Sequence, residues 1–338
     1  MNAASDNVQT ARKMLAGASC WVLTDGKAGD EAPCLGLAQA LGLDVETRVV
    51  RPRKFFALLA PRGPVDPAER PDAPGSPIAP PFPEVLIASG RRAVPYLRAV
   101  RRASGGKTFT IFLKDPRIDP HVADMVWVAE HDRLRGDNVM TTLTAPHVVT
   151  HETLNAAREN PDPRIARLPE PRMALLLGGD SRHYSFHEKD IVSMVGVVES
   201  MVLSGAGAMI TPSRRTPPQL LARLRGVCAD APMHTFLWDG TGENPYVQML
   251  AHASLIVVTA DSTNMVGEAI ATDAPVMVYE PTGGSVRLSR LIRTLVADGR
   301  VRRWRGRLES WPCVAHDDTP AIADEAALRF ALFRAARR

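Results

Sequence analysis

The sequence predicts an α/β fold of two consecutive domains, each a parallel sheet wrapped by helices, facing one another across a cleft. Three observations carry this. Residues 255–280, LIVVTADSTNMVGEAIATDAPVMVYE, read as a buried strand (255–259), a polar loop (260–264), a helix (265–272) and a second buried strand (276–279). Apolar runs of this length that end in small polar residues before a helix mark a βαβ unit. The same strand, glycine-containing loop and helix recur at residues 19–41. Between the two series lies ENPDPRIARLPEP (159–171), proline-rich and charged, the composition of an interdomain linker. The expected domains are 1–155 and 172–338, and ligand loops at the carboxyl ends of their strands imply a cleft between them.

The elements follow in order. SCWVL (19–23) is a buried strand, TDGKAGDE its loop, and 33–41 a helix; 44–50 alternates as the next strand. Residues 61–83 hold nine prolines and little apolar content. That excludes a helix or inner strand and predicts an extended surface insertion: a tolerated excursion, a lid or a membrane-facing loop. Residues 85–88, 109–113 and 126–129 are further strands, and Ser89-Gly90-Arg91-Arg92 is a strand-to-helix turn. In the second half, 173–177 is a strand and Gly178-Gly179-Asp180-Ser181 its turn. Ser185 with Glu188 predicts a capping box for a helix over 186–202. Strands at 208–211 and 234–237 and helices at 218–228 and 244–253 lead into the 255–280 unit, and a last helix spans 323–335. That last helix has the option of crossing back to the first domain.

With 45% hydrophobic residues the chain is no disordered protein. Its net charge of +4 is modest but clustered, at Arg91, Arg92, Arg98, Arg101 and Arg102, at Arg300, Arg302, Arg303, Arg305 and Arg307, and at Arg334, Arg337 and Arg338. Such clusters suit phosphates or an anionic membrane surface. No nucleic-acid-binding pattern accompanies them, so nucleic acid is not an expected partner. Four dispersed cysteines without C-x-x-C fit a reducing cytosol, and no apolar run reaches the length of a membrane span. The expected location is cytoplasmic, with peripheral attachment to the inner membrane through the first arginine cluster. His147 and His151, like His183 and His187, are four apart, but HVVT reads as strand and His183 sits in a loop. No metal site is expected.

The chemistry is expected in the loops. The loop at 260–264 opens a helix, where free N–H groups and the helix dipole favour a phosphate. Ser262, Thr263, Asn264 and Met265 are its candidate ligands. Glu268, one turn further in, is placed to accept from the paired hydroxyls of a ribose; an ordinary crossover with Glu268 in a surface ion pair stands as the competing expectation. Gly178 and Gly179 let backbone approach a ligand closely, with Ser181 beside them. Arg214 and Arg215 offer guanidinium groups for phosphate, Arg214 being the expected ligand. In the first domain Lys27, Gly29 and Arg91 mark the loops facing an acceptor, and Asp30 is the candidate base.

In this order and spacing these loops resemble the nucleotide-sugar half of a GT-B glycosyltransferase. They are similar in particular to the transferase that adds N-acetylglucosamine to the lipid precursor of peptidoglycan. LLLGGDSRHYSF stands where that family has a strand, a Gly-Gly-Ser loop and a helix, and Ser262, Glu268 and Pro275-Val276 match its second motif. The resemblance implies two Rossmann-like domains and ribose binding by Glu268. Gly29-Asp30 and Pro33 resemble the family's first loop, with Asp30 in place of its His. TDGKAGDEAPCLGLAQALG, SGRRAV, KDPRIDP, EHDRLRG, GGDSRHYSF, ITPSRRTP and VTADSTNMVGEA resemble, in the same order, the Elm ("elongated mitochondria") mitochondrial-fission family and its bacterial relatives. Asp273 departs from the glycine usual there. This resemblance implies a bacterial protein that binds a nucleoside diphosphate sugar and transfers or modifies the sugar, as a glycosyltransferase or a GT-B-type 2-epimerase, without a further cofactor. The alternative it implies is a non-catalytic membrane-surface scaffold that recruits a partner protein, the role of the plant members.

Overall fold

A computed structural model describes residues 3–337 of the chain; Arg338 of the last arginine cluster lies outside them. The chain forms two compact units, residues 1–148 with 318–338, and residues 149–317.

The first unit runs α1 (Ala3–Leu15), β1 (Ser19–Thr24), α2 (Ala28–Ala40), β2 (Asp44–Val49), α3 (Lys54–Leu59), β3 (Val85–Ser89), α4 (Val94–Ala103), β4 (Phe109–Leu113), β5 (Met125–Ala129) and β6 (Val139–Thr142). The six strands form one parallel sheet in the order β2-β1-β3-β4-β5-β6. Its inner strands are apolar throughout because both faces are covered. Cys20, Val22, Val85 and Ile87 pack under α1, α2 and the C-terminal helix. Trp21, Leu23, Leu86 and Ala88 point to the opposite face, under α4.

The second unit runs α5 (His151–Glu159), α6 (Pro163–Ala166), β7 (Arg172–Leu177), β8 (Tyr184–Ser185), α7 (Glu188–Leu203), β9 (Gly207–Pro212), α8 (Pro218–Asp230), β10 (Thr235–Leu237), α9 (Tyr246–His252), β11 (Leu255–Thr259), α10 (Thr263–Ile270), β12 (Val276–Tyr279), β13 (Thr282–Gly283), α11 (Val286–Ala297) and β14 (Val301–Arg303). Its main sheet is again parallel, β10-β9-β7-β11-β12-β14. Leu175, Leu177, Ile210 and Val257 bury against Met194, Val198 and Met201 of α7. The expected α/β class, two domains built on parallel sheets, is what the chain forms.

The division differs from the expected 1–155 and 172–338. The segment 159–171 is no boundary: it holds α6 and lies within the second unit. The C-terminal helix Thr319–Ala335 belongs to the first unit, because Ile322, Ala323, Ala326, Ala327, Phe330 and Phe333 complete the core beneath β1 and β4. The proline-rich residues 61–83 are not a loose excursion. Val65 and Ile78 are buried in the core under α4, and Arg53 grips Asp66 through paired bonds of 2.7–3.1 Å. Ser185 does not cap α7, because it pairs with Thr282 in the two-stranded β8–β13 ribbon. The first turn begins after His187, whose N–H donates to Asp190 at 2.9 Å. HVVT at 147–150 forms no strand, since there the chain passes from one unit to the other.

Candidate functional site

In the second sheet the sequence order runs outward in both directions from the β7–β11 pair. At such a switch point the loops leaving two neighbouring strands part to opposite faces and open a crevice at the strand carboxyl ends. Asp261, the second residue after β11, fills it, its side chain fully buried. Its Oδ2 accepts from the Gly179 N–H at 2.8 Å and from Arg215 at 2.9 Å. Arg215 also donates to the carbonyls of Gly179 and Asp180, at 2.8 and 3.0 Å. The Gly178 N–H donates to Thr259 Oγ1 at 2.8 Å, and Thr216 donates to the Gly178 carbonyl. Three loops are thereby laced into one unit.

The glycine pair serves this lacing. A Cβ on Gly178 would lie 2.1 Å from Asp261 Oδ2, and one on Gly179 would lie 2.0 Å from the Arg215 backbone. The close approach that these glycines permit in the structure is to neighbouring loops. Ser181 is likewise spent locally: its hydroxyl accepts from the amides of His183 and Tyr184, at 3.2 and 3.1 Å. The two arginines part company. Arg215 is taken by Asp261, whereas Arg214 is exposed and its guanidinium has no partner among the described residues.

Helix α10 opens directly beyond Asp261. Ser262 is its N-cap, accepting from the Met265 N–H at 3.5 Å. The Thr263 N–H has no hydrogen-bond partner among the described residues, and Thr263, Asn264 and Met265 remain partly exposed. Glu268 does not sit in a surface ion pair. It is only 9% exposed, and its Oε2 accepts from the Tyr246 hydroxyl of α9 at 2.7 Å. Burial pushes the Glu268 carboxyl above its ordinary range, and the Tyr246 bond partly offsets that. The same contact and burial push the Tyr246 phenol well up. Burial also means that removing Glu268 strands the Tyr246 hydroxyl, so the residue has a structural share as well.

The carboxyl edge of the first sheet gathers different groups. Asp30 lies in the first turn of α2, where its Oδ1 holds Lys114 at 2.5 Å; Lys114 also reaches the Gly29 carbonyl at 2.8 Å. Gly90, with φ +89°, passes so close that a Cβ would stand 2.9 Å from Asp30 Oδ2. Asp25, just after β1, is buried beside Lys27 and Arg92, with Oδ1 lacking a partner. Gly29 is helical rather than a loop residue, because α2 starts at Ala28. Arg91 is exposed but engaged: its guanidinium donates to the carbonyls of Ala57, Leu58 and Ala60 at 2.7–3.3 Å, closing the end of α3. The cluster expected to meet a membrane is also largely engaged. Arg98 bonds the carbonyls of Arg62 and Gly63, Arg101 pairs with Asp124 and Arg92 with Asp25; only the Arg102 side chain has no partner among the described residues.

Sequence reasoning missed Asp25, Lys114, Tyr246 and Asp261 as site residues. Asp25, Lys114 and Asp261 carried a usable signal, each lying within two residues of a strand's carboxyl end. Tyr246 carried none, since its partner is 22 positions away. No cluster of three or more metal-ligating side chains occurs among the described residues, and no described helix is long and apolar enough to cross a membrane.

The chain is similar to several known proteins. It is 25% identical over 267 residues to the mitochondrial fission protein ELM1 of Arabidopsis thaliana, covering 71% of this chain and 62% of the plant protein. It is 30% identical over 130 residues to an uncharacterized protein of Rickettsia prowazekii, 36% of either chain. It thus spans less than two thirds of the length of either relative. Among solved structures it is similar to MurG of Acinetobacter baumannii, with 14% identity, 95% and 94% of the two chains covered and a TM-score of 0.46. It is similar also to the UDP-GlcNAc 2-epimerase of Neisseria meningitidis bound to UDP-GlcNAc, with 12% identity, 93% and 94% coverage and a TM-score of 0.49. The family described as mitochondrial fission ELM1 matches residues 28–330, so the chain belongs to that family.

Proposed function

We propose that the second unit binds a nucleoside diphosphate sugar and that the protein transfers or modifies the sugar. What supports this reading is that the β9 and β11 loops, joined through Arg215 and Asp261, lead into three unsatisfied groups. These are the Thr263 N–H at the start of α10, the unpaired guanidinium of Arg214 and a buried Glu268 with only one oxygen bonded. A diphosphate meets the helix start and Arg214; the ribose hydroxyls donate to Glu268. The same donors would stabilise the diphosphate as it leaves the anomeric carbon. In the first unit, Asp30 is the proposed acceptor-side base; with Oδ1 held by Lys114, it is Oδ2 that would take the proton.

A thermal-shift screen of uridine and other nucleoside diphosphate sugars tests the binding. A ligand present at about a hundred times its dissociation constant adds roughly 2.7 kcal/mol. Any sugar that stabilises the protein is then followed for nucleoside diphosphate release and for 2-epimer formation, which separates transfer from epimerisation. No shift with any nucleoside diphosphate at millimolar concentration removes the donor site.

A further inference from the structure

The first sheet has a switch point of its own. Its sequence order runs outward in both directions from the β1–β3 pair, so the loops after β1 and β3 part there and open a crevice at the strand carboxyl ends. Asp25 is the first residue after β1, and Arg92 is the third after β3. Helix α2 starts just beyond, at Ala28.

The Asp25 side chain is only 2% exposed, and the two cations beside it share one oxygen. Lys27 and Arg92 both lie on Oδ2, Arg92 at 3.6 Å. Oδ1 is buried and has no hydrogen-bond partner among the described residues. Two features are left over: a second positive charge on a single carboxylate, and a spare acceptor. A buried carboxylate oxygen without a donor is costly, so the spare acceptor calls for one. The start of α2 adds to the surplus of positive charge. Its N-cap is Lys27, which brings no side-chain acceptor to the first N–H groups, where Ser, Thr, Asp or Asn is usual. The Ala28 N–H has no partner among the described residues. Of the carboxylates in the first turn, Asp30 is taken by Lys114.

We propose that this crevice binds an alcohol that carries a phosphate. The phosphate sits on the start of α2 between Lys27 and Arg92, and a hydroxyl of the same molecule donates to Asp25 Oδ1. Inorganic phosphate answers the surplus charge and leaves Oδ1 unmet. A neutral polyol answers Oδ1 and leaves the charge. A divalent cation meets two positive charges for one carboxylate. A single molecule with both groups satisfies the site. If the second unit transfers a sugar, as proposed above, this molecule is the acceptor, and Asp25 holds it rather than deprotonating it. The site lies wholly in the first unit and uses none of the donor-site residues.

NMR titration of the isotope-labelled full chain, with no nucleotide present, tests it with glycerol 3-phosphate, methyl phosphate and glycerol as probes. Glycerol 3-phosphate is expected to shift the amides of residues 27–31. It should bind about tenfold more tightly than methyl phosphate, the factor for one hydrogen bond to a charged group. Glycerol at the same concentration should shift nothing. Asp25→Ala is expected to erase the preference: glycerol 3-phosphate weakens, while methyl phosphate binds at least as tightly because a negative charge has gone. Lys27→Ala is expected to weaken both phosphates about fivefold, as the loss of an exposed ion pair does, and to keep the preference. Lys27 is exposed, so this variant folds as the wild type does even if Asp25→Ala disturbs the core. Equal affinity for the two phosphates overturns the proposal and would mean that water satisfies Oδ1. Asp25→Ala weakening both phosphates alike also overturns it, leaving Asp25 a strut for its two cations. So do shifts centred on residues 263–268, the donor site, or no shift with either phosphate. Failure of the donor reading shows separately, in the nucleotide thermal-shift screen, and leaves this binding untouched.

Discussion

Glu268 carries two demands that pull against each other. As a ribose acceptor it must be ionised, while its burial favours the protonated form. A carboxyl whose folded value is raised contributes stability that is fully present below the unfolded value, near pH 4.5, and is lost as pH rises through the folded one. Glu268→Gln keeps an acceptor for the Tyr246 hydroxyl and removes the buried charge. Its melting temperature is therefore expected to match the wild type in acid and to exceed it increasingly as pH approaches neutrality. A difference that does not change with pH would show that the carboxyl is not destabilised by burial. Glu268→Ala instead strands the Tyr246 hydroxyl and is expected to melt lower at every pH. In the ligand arm, Glu268→Ala should weaken a ribonucleotide by roughly 1.5–3 kcal/mol, the range for a hydrogen bond to a charged group. A 2′-deoxy nucleotide should bind the wild type less well and the variant no worse than its ribose parent. Calorimetric titration of both proteins with both nucleotides separates lost contact from general damage.

At the scale of the element, the strand-loop-helix units were legible because their signal is local. The apolar runs at β7, β11 and β12 are continuous since both sheet faces are covered, and each ends where small or polar residues begin. What each loop residue does was not legible, because loop partners are distant in sequence. Gly178 and Gly179 were read as positions of close approach to a ligand; the neighbours they approach in the structure are Asp261 and the Arg215 backbone. Gly179→Ala therefore tests the lacing. Its Cβ meets backbone at 2.0 Å, so the β7 and β9 loops must separate. A loss of about 2 kcal/mol or more in chemical denaturation is expected, of the size of other overpacked sites, together with weakened nucleotide binding. Gly29→Ala is the control from the first unit. Its Cβ meets nothing within 4 Å and lies in the first turn of α2. There alanine should be neutral, or stabilising by up to about 1 kcal/mol. If both substitutions behave alike, the contacts around Gly179 do not govern the site.

At the scale of the molecule, the sequence left open whether the C-terminal helix crosses back to the first unit, and it does. Its apolar positions, Ile322, Ala323, Ala326, Ala327, Phe330 and Phe333, do not by themselves say which sheet they cover. Only the packing of Phe330 and Phe333 on Phe109, at ring separations of 5.6 and 5.2 Å, reveals where they bury. Arg12 reinforces this by bonding Asp324 at 2.7 Å and the Pro320 carbonyl at 2.9 Å. A contiguous second unit inserted between parts of the first makes a sharp forecast. Residues 149–317 expressed alone should fold, because every strand of the second sheet lies within them. That fragment should bind a nucleoside diphosphate with the full chain's affinity if the donor site is confined to the β7–β11 loops. Ending the chain before Thr319 should do the reverse, stripping two aromatic rings and four further core residues from the first unit. Burial of a single aromatic side chain is worth about 3–5 kcal/mol against alanine, so the loss approaches the whole stability of a typical domain. Hydrogen exchange on the truncated chain should then show the first sheet exchanging freely while β7, β9 and β11 stay protected. Uniform loss of protection across both sheets would mean that the second unit depends on the first, and the fragment's independence would fail with it.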